Sequence, residues 1–103
     1  MSWKYIIAGD YGQVAKLTFI DIDTGSAADI SGYTTEQQMI FKDPDGNIAT
    51  KTAAFDSDGS DGIVKYTLAD GDIDEEGTWH VCARVTSDTA QLTSEWHEFE
   101  VEA

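Results

Sequence analysis

Two acidic runs of the sequence carry enough carboxylates to raise the question of a Ca²⁺ site. The first spans residues 56–62 and the second spans residues 70–74. Calcium is held by clusters of oxygen ligands, and the twelfth position of an EF-hand loop supplies a bidentate Glu. That position is Thr67 in the first run and Val81 in the second, so neither run has EF-hand spacing. We therefore expect solvated acidic turns in both places and no bound metal.

His80, Cys82 and His97 are of the residue types that bind Zn²⁺, which needs three or four such ligands. Successive residues of a β-strand point to opposite faces. His80 and Cys82 therefore share one face, which we expect to be the outer one, with Cys82 half-buried. His97 has the parity of Phe99 and Val101 and is expected to point inward. The sequence therefore predicts no zinc site and no other cofactor.

The sequence contains none of the common catalytic motifs. It lacks a Gly-x-Ser-x-Gly elbow, a His-Glu-x-x-His pair, a phosphate-binding loop and a dinucleotide fingerprint. A reaction centre needs a nucleophile, a base and an oxyanion stabiliser held together, and this chain offers two His and one Arg. We therefore expect a protein that is not an enzyme.

Aromatic side chains are the stronger candidates for a functional surface. Trp96 has the parity of the glutamates in the last predicted strand, so its ring is expected on the outer face, near Arg84 or Cys82. Two interpretations stay open: a private cation–π contact, or an anchor that binds another protein. Trp3 and Tyr5 form a second candidate patch. Exposed flat rings also suit stacking on sugars, so a carbohydrate-binding module is the alternative function.

The composition limits the partners of this chain. Twenty acidic residues against six basic ones give a formal net charge of −14 in 103 residues. A surface this negative repels phosphate backbones and anionic lipid headgroups, so neither nucleic acid nor a membrane is an expected partner. No apolar run approaches the roughly 20 residues that span a bilayer, and the N-terminal apolar stretch is too short for a signal peptide. The lone Cys82 has no partner for an internal disulfide.

The fold class follows from regularly spaced turn signals. Six breaks rich in Gly, Asp and Ser separate seven short segments with β-forming residues and period-2 alternation. Such spacing within a single domain, residues 1–103, predicts an all-β, immunoglobulin-like two-sheet antiparallel sandwich of about seven strands. A small barrel is the structural alternative. The breaks lie at residues 8–12, 23–27, 43–47, 56–62, 69–77 and 87–89.

Three local predictions can be compared with the structure. Residues 34–41 are expected to form a strand that leads into a Pro-containing hairpin turn at residues 43–46. The apolar phase of residues 14–22 changes between Phe19 and Ile20, which predicts a bulge or a bend. Residues 72–79 are expected to turn the chain so that Ile73 and Trp79 close one end of the core, with the carboxylates of this segment in water.

Four motifs occur in a familiar order: Asp-Ile-Ser-Gly at residues 29–32, Lys-Asp-Pro-Asp-Gly-Asn at 42–47, the strand at 61–68 and the corner at 71–79. The series spans about residues 13 to 101. It resembles the immunoglobulin-like domain of tailed-bacteriophage virion proteins, best known as the N-terminal domain of the baseplate upper protein family. Each motif alone is mostly turn chemistry, and their order and spacing carry the resemblance.

The resemblance implies a structural or adaptor role in a phage particle, in the baseplate, tail or neck. Its partners would be other virion proteins in a symmetric, multi-copy assembly, and the chain would be assembled into virions in the host cytoplasm. The chain lacks the downstream helical or receptor-binding region of that family, so we expect a small free-standing component. A host-surface adhesion module and a capsid decoration protein are the alternatives.

Overall fold

The computed structural model describes residues 6–103, and within that range it contains strands and turns but no helix. Each of the seven predicted segments contains strand, and two of them contain two strands. The chain changes sheets at Ala53, and the last segment is interrupted at residues 94–96. The strands are β1 (Ile6–Ile7), β2 (Val14–Thr18), β3 (Glu36–Lys42), β4 (Ile48–Thr52), β5 (Ala54–Phe55), β6 (Ile63–Thr67), β7 (Gly77–Thr86), β8 (Gln91–Thr93) and β9 (His97–Glu102).

The strands form two sheets. The larger one has the order β1-β9-β7-β3-β4, with β8 also paired to β7, and the smaller one has the order β2-β6-β5. All pairings between these strands are antiparallel except that of β1 with β9. The two orders correspond to the G-F-C-C′ and B-E-D strands of immunoglobulin domains. The predicted all-β, immunoglobulin-like sandwich is therefore confirmed.

The core lies between the sheets and centres on β7. Trp79, Val81, Ala83 and Val85 alternate along its inner face and are all buried, as the sequence predicted. Trp79 stacks on Phe99 of the neighbouring strand, with ring centroids 6.2 Å apart. No helix among the described residues has the length and hydropathy to cross a lipid bilayer.

Cys82 is more buried than the sequence predicted. It lies on the outer face of β7, directly opposite Ile40 of β3, yet it is only 2% exposed. A small side chain on a central strand has a neighbouring strand on each side, which excludes water even on the outer face. Burial raises the pKa of the Cys82 thiol, and the nearby positive charge of Arg84 offsets part of that rise.

The predicted phase change in the first long strand is wrong. Ala15, Leu17 and Phe19 alternate without interruption on the buried face, while Ile20 and Ile22 lie on the surface. Strand β2 ends at Thr18, and Ile22 lies in the turn that follows, where it is 95% exposed.

The hairpin between β3 and β4 is confirmed. The amide of Gly46 donates to the carbonyl of Asp43 at 3.0 Å, which closes the turn that Pro44 begins. The Asp43 carboxylate also accepts from the amides of Asp45 and Asn47, at 3.0 and 2.8 Å. An Asp that bonds its own turn in this way is typical of such loops.

Strand β4 forms one edge of the larger sheet and carries a charge on its inner face. Lys51 is directly opposite Met39, which is fully buried, so the two side chains share the face that points at the smaller sheet. An inward-pointing Lys on an edge strand disfavours pairing with a second molecule, because addition of a strand would desolvate the charge.

Candidate functional site

Trp96 lies on a β-bulge that the sequence analysis did not identify. Arg84 pairs with Thr93 in the β7–β8 ladder, whereas Val81 pairs with His97 in the β7–β9 ladder. Residues 94–96 therefore lie opposite only residues 82 and 83, which is one residue too many for a regular ladder. Bulges of this kind redirect side chains and interrupt pairing.

Ser94 fixes the geometry of this bulge. Its amide donates to the carbonyl of Ala83 at 2.8 Å, and its hydroxyl oxygen accepts from the amide of Ala83 at 2.9 Å. The side chain thus takes the place of a missing backbone partner. Two residues later Trp96 is 45% exposed, as its parity predicted, although it is one of the largest apolar side chains of the protein.

The cation beside Trp96 is Lys42, not Arg84. The Lys42 ammonium lies 5.6 Å from the centroid of the Trp96 ring, within cation–π distance. Arg84 instead directs its Nε–H to the hydroxyl of Thr93, at 3.3 Å. The sequence analysis expected Arg84 or Cys82 beside the ring and missed Lys42. Lys42 lies on β3, two strands from β9 in the sheet, and side-chain parity does not reveal which residues of other strands lie close.

The other two candidate interface residues, Trp3 and Tyr5, lie outside the described residues. Among the described ones, the outer face of the larger sheet presents a row that crosses four strands. Glu98 of β9 pairs with His80 of β7, His80 with Lys42 of β3, and Lys42 with Ile48 of β4. We call this row, together with Trp96, the Trp96 face.

The Trp96 face combines apolar and charged groups. Ile48 is 56% exposed, and His80 Nε2 lies 3.6 Å from a carboxylate oxygen of Glu98. Trp is enriched at protein interfaces whereas Lys and Glu are depleted there, so the Trp96 ring is the part of this face best suited to contact another protein. Lys42 and Ile48 were missed as members of this surface, although the outward parity of Lys42 was readable from the buried Met39 and Phe41.

The acidic turns use their carboxylates to bond their own backbone or neighbouring lysines. Asp58 accepts from the amide of Ser60 at 2.9 Å, and Asp61 accepts from the amide of Ile63 at 3.1 Å. Asp56 lies 3.1 Å from Lys16 and 4.0 Å from Lys65. The turn at residues 56–62 is therefore a solvated acidic turn, as predicted, with carboxylates that accept hydrogen bonds from its own backbone.

A different set of carboxylates comes together at one end of the sandwich. Ligand atoms of Asp43, Asp45 and Glu75 all lie within 4.8 Å of one another, where the β3–β4 hairpin approaches the loop before β7. Burial raises the pKa of Glu75, and the neighbouring Asp45 carboxyl and the charges of Asp43 and Asp74 raise it further. No sequence pattern marks this group, because its members come from two loops.

Asp72 contradicts the prediction that the carboxylates of residues 72–79 lie in water. Its side chain is only 8% exposed. It accepts hydrogen bonds from the Tyr66 hydroxyl and from the amide of Ala69, and it lies 3.1 Å from Lys51. A buried carboxylate remains charged when donors surround it in this way. Ile73, next in the chain, is fully buried as expected.

A cleft of about 210 Å³ opens beside this network, between Lys51, Asp72, Asp74 and Trp79. It contains carboxylates and one ammonium, and the described residues that line it include no Ser, Thr, Cys or His to act as nucleophile or base.

Searches of protein-family models and of curated proteins return no match to this chain.

Proposed function

We propose that this chain is a non-enzymatic structural or adaptor domain of a tailed-phage particle and that it docks on other virion proteins through the Trp96 face. The observation that carries the proposal is the 45% exposure of Trp96 on a bulge held by two hydrogen bonds between Ser94 and Ala83. The placement in a phage particle rests on the motif order described above.

A rigid, exposed indole is suited to act as an anchor. Trp residues dominate the binding energy of many protein interfaces because a large ring is desolvated with little loss of conformational entropy. The Lys42 ammonium lies over the ring, 5.6 Å from its centroid, and a cation–π contact of this kind favours the observed position of the indole. A virion ring presents many copies, so even a small contact surface on each gives strong attachment through avidity.

The net charge fits the same role. A chain with a charge of −14 is repelled by packaged nucleic acid and by other copies of itself, so it remains monodisperse in the host cytoplasm until a specific partner docks. The partner is then selected by the mixed charges of Lys42, His80 and Glu98 around the ring.

The test is incorporation of Trp96→Ala into virions. The change is expected to leave the circular dichroism spectrum and thermal midpoint of the isolated chain nearly unchanged, because the side chain is about half in water. It is expected to lower the amount of the chain in purified virions, measured by immunoblot, by about tenfold or more. Tyr11→Ala is the matched control, since Tyr11 is an aromatic residue 62% exposed elsewhere on the surface.

Two results would contradict the proposal. One is absence of the unmodified chain from purified virions, which removes the structural role altogether. The other is equal incorporation of the Trp96→Ala and Tyr11→Ala chains, which removes the Trp96 face as the docking surface. Normal incorporation together with weakened attachment of particles to cells would favour the alternative, adhesion through stacking of the exposed Trp96 ring on host glycans.

A further inference from the structure

A second surface, separate from the Trp96 face, lies on one lateral side of the sandwich. It is an open groove of about 390 Å³ between the chain that continues from β2 and the strand β8. Phe19 and Ala28 line it, and Ile20, Ile22 and Leu92 add apolar surface. These last three side chains are 53%, 95% and 37% exposed. We call this surface the lateral groove.

Both sides of the lateral groove are edges of sheets. Among the described residues, β2 pairs with β6 alone, and β8 pairs with β7 alone. The amide of Ser87 donates to Ala90 at 2.8 Å where the β7–β8 hairpin closes. Antiparallel pairs alternate, so the backbone groups of Gln91 and Thr93 point away from β7, toward the open edge.

The position of the groove is the position of a strand in related architectures. Immunoglobulin sandwiches of the constant type carry four strands in the order A-B-E-D in the sheet that contains the B, E and D strands. Here the described residues give that sheet three strands, β2-β6-β5, and none of residues 6–103 forms a strand on the other side of β2. Ile20 and Ile22, which follow β2 along the chain, leave large apolar side chains exposed beside this edge.

The charge of the groove indicates what kind of strand fits. The charged residues that line it are Asp21 and Glu95, both exposed carboxylates, and no Lys, Arg or His is among its lining residues. A second copy of this chain would bring further negative charge to the same place, at −14 per copy. A segment with Lys or Arg beside its apolar residues would meet complementary charge.

We propose that the lateral groove binds an extended segment of a partner protein, in which apolar residues alternate with polar ones and Lys or Arg flanks them. The segment adds as a β-strand to an open edge, with hydrogen bonds from its backbone and with alternate side chains in the groove. The proposal concerns a different surface from the Trp96 face, and it holds or fails independently of the phage assignment.

The experiment selects binders from a random linear peptide library displayed on yeast, using the full chain as bait. The enriched peptides are expected to alternate apolar and polar residues and to carry Lys or Arg at their ends. On binding, amide hydrogen exchange measured by NMR is expected to slow at Gln91 and Thr93, because strand addition protects outward-facing amides.

Variants then locate the site. Ile22→Ser and Leu92→Ser are each expected to lower the affinity for an enriched peptide by about tenfold, since each removes apolar contact area. Ile7→Ser is the matched control for Leu92→Ser, because Ile7 is 36% exposed, close to the 37% of Leu92, and it does not line the groove. The double variant Asp21→Asn, Glu95→Gln is expected to bind the peptide more weakly and with an affinity that depends less on salt concentration. The double variant Asp70→Asn, Glu76→Gln is expected to change neither the affinity nor its salt dependence.

Three outcomes would overturn the proposal. No enrichment of peptides is the first. Loss of binding in Trp96→Ala but not in Ile22→Ser is the second, because it places the peptides on the Trp96 face. The third is self-association of the free chain, seen by sedimentation velocity and abolished by Ile22→Ser, because a second copy would then be the occupant of the groove.

Discussion

The hydroxyl of Tyr66 donates a hydrogen bond to the carboxylate of Asp72, six residues further along the chain. The same carboxylate lies 3.1 Å from the ammonium of Lys51, so a residue of the smaller sheet is tied to the edge strand of the larger one through a single loop side chain. This network closes one end of the sandwich, next to the buried Ile73 and Trp79. The first three predictions concern it.

Tyr66→Phe is expected to lower the free energy of unfolding by about 1–3 kcal/mol, because it leaves a largely buried carboxylate with one donor fewer. The measurement is urea denaturation at neutral pH. Tyr11→Phe is the control, since Tyr11 is 62% exposed. Equal stability of the two variants would contradict the role of the hydrogen bond.

The stability contributed by Asp72 is expected to depend on pH. Burial acts to raise its pKa, but the hydrogen bonds from Tyr66 and Ala69 and the charge of Lys51 outweigh burial, so the pKa of Asp72 in the folded protein is lowered. The contribution is therefore fully present above the unfolded pKa of about 3.9 and is lost as the pH falls through the lower folded value. Unfolding curves of the wild type and Asp72→Asn should differ at neutral pH and converge in acid. An undiminished difference in strong acid would contradict this.

Tyr66 itself is expected to titrate late. Burial, together with the hydrogen bond to Asp72 and its negative charge, raises the pKa of Tyr66 to about 12. The neutral hydroxyl therefore stabilises the fold below the unfolded pKa of about 10, and this contribution is lost as the pH rises through about 12. The ultraviolet absorbance titration of the wild type minus that of Tyr66→Phe should isolate one phenol with this pKa. A component near 10 would refute the expectation.

Glu75→Gln is expected to stabilise the protein at neutral pH. The pKa of Glu75 is raised by burial and by Asp45, Asp43 and Asp74, so its ionised form is disfavoured in the folded state. The cost is present above the raised pKa and disappears as the pH falls below it. The thermal midpoint should rise in low salt at neutral pH, and the gain should shrink in high salt, which screens exposed charges. Glu76→Gln, one residue away, is the control, and an equal gain there would assign the effect to net charge alone.

Gly62→Ala is expected to destabilise the fold strongly. Gly62 has a φ of +77°, and a Cβ there would lie 2.7 Å from the carbonyl oxygen of Ala28 and 3.0 Å from that of Phe19. Both neighbours are backbone and hydrogen-bonded, so neither has freedom to move. Gly71→Ala is the control, since its φ is +90° but a Cβ would meet open space. Gly71→Ala should lower the free energy of unfolding by only about 1 kcal/mol, the cost of placing a residue with a Cβ at positive φ. Gly62→Ala should lower it clearly more, as measured by denaturant unfolding.

The local features of this protein were well predicted from its sequence. Alternation along β7 identified Trp79, Val81, Ala83 and Val85 as core, and the Pro-containing turn at residues 43–46 marked a hairpin. These predictions hold because side-chain parity and turn chemistry act between residues close together in the chain. The exposure of Trp96 followed from the same parity.

The predictions that failed all required knowledge of a neighbour distant in the chain. The cation beside Trp96 is Lys42, from a strand more than fifty residues earlier, and Asp72 is buried because Lys51 and Tyr66 surround it. None of these contacts leaves a periodic signal in the sequence.

The sequence by itself determined the strand segments, their inner and outer faces and the acidic surface, because these depend on residue type and on the two-residue period of a strand. Only the tertiary structure decided which strands form edges, where the register of the last strand shifts by one residue at the Trp96 bulge, and which carboxylates leave water. Those features depend on the pairing and packing of segments far apart in the chain, which the identity of neighbouring residues does not specify.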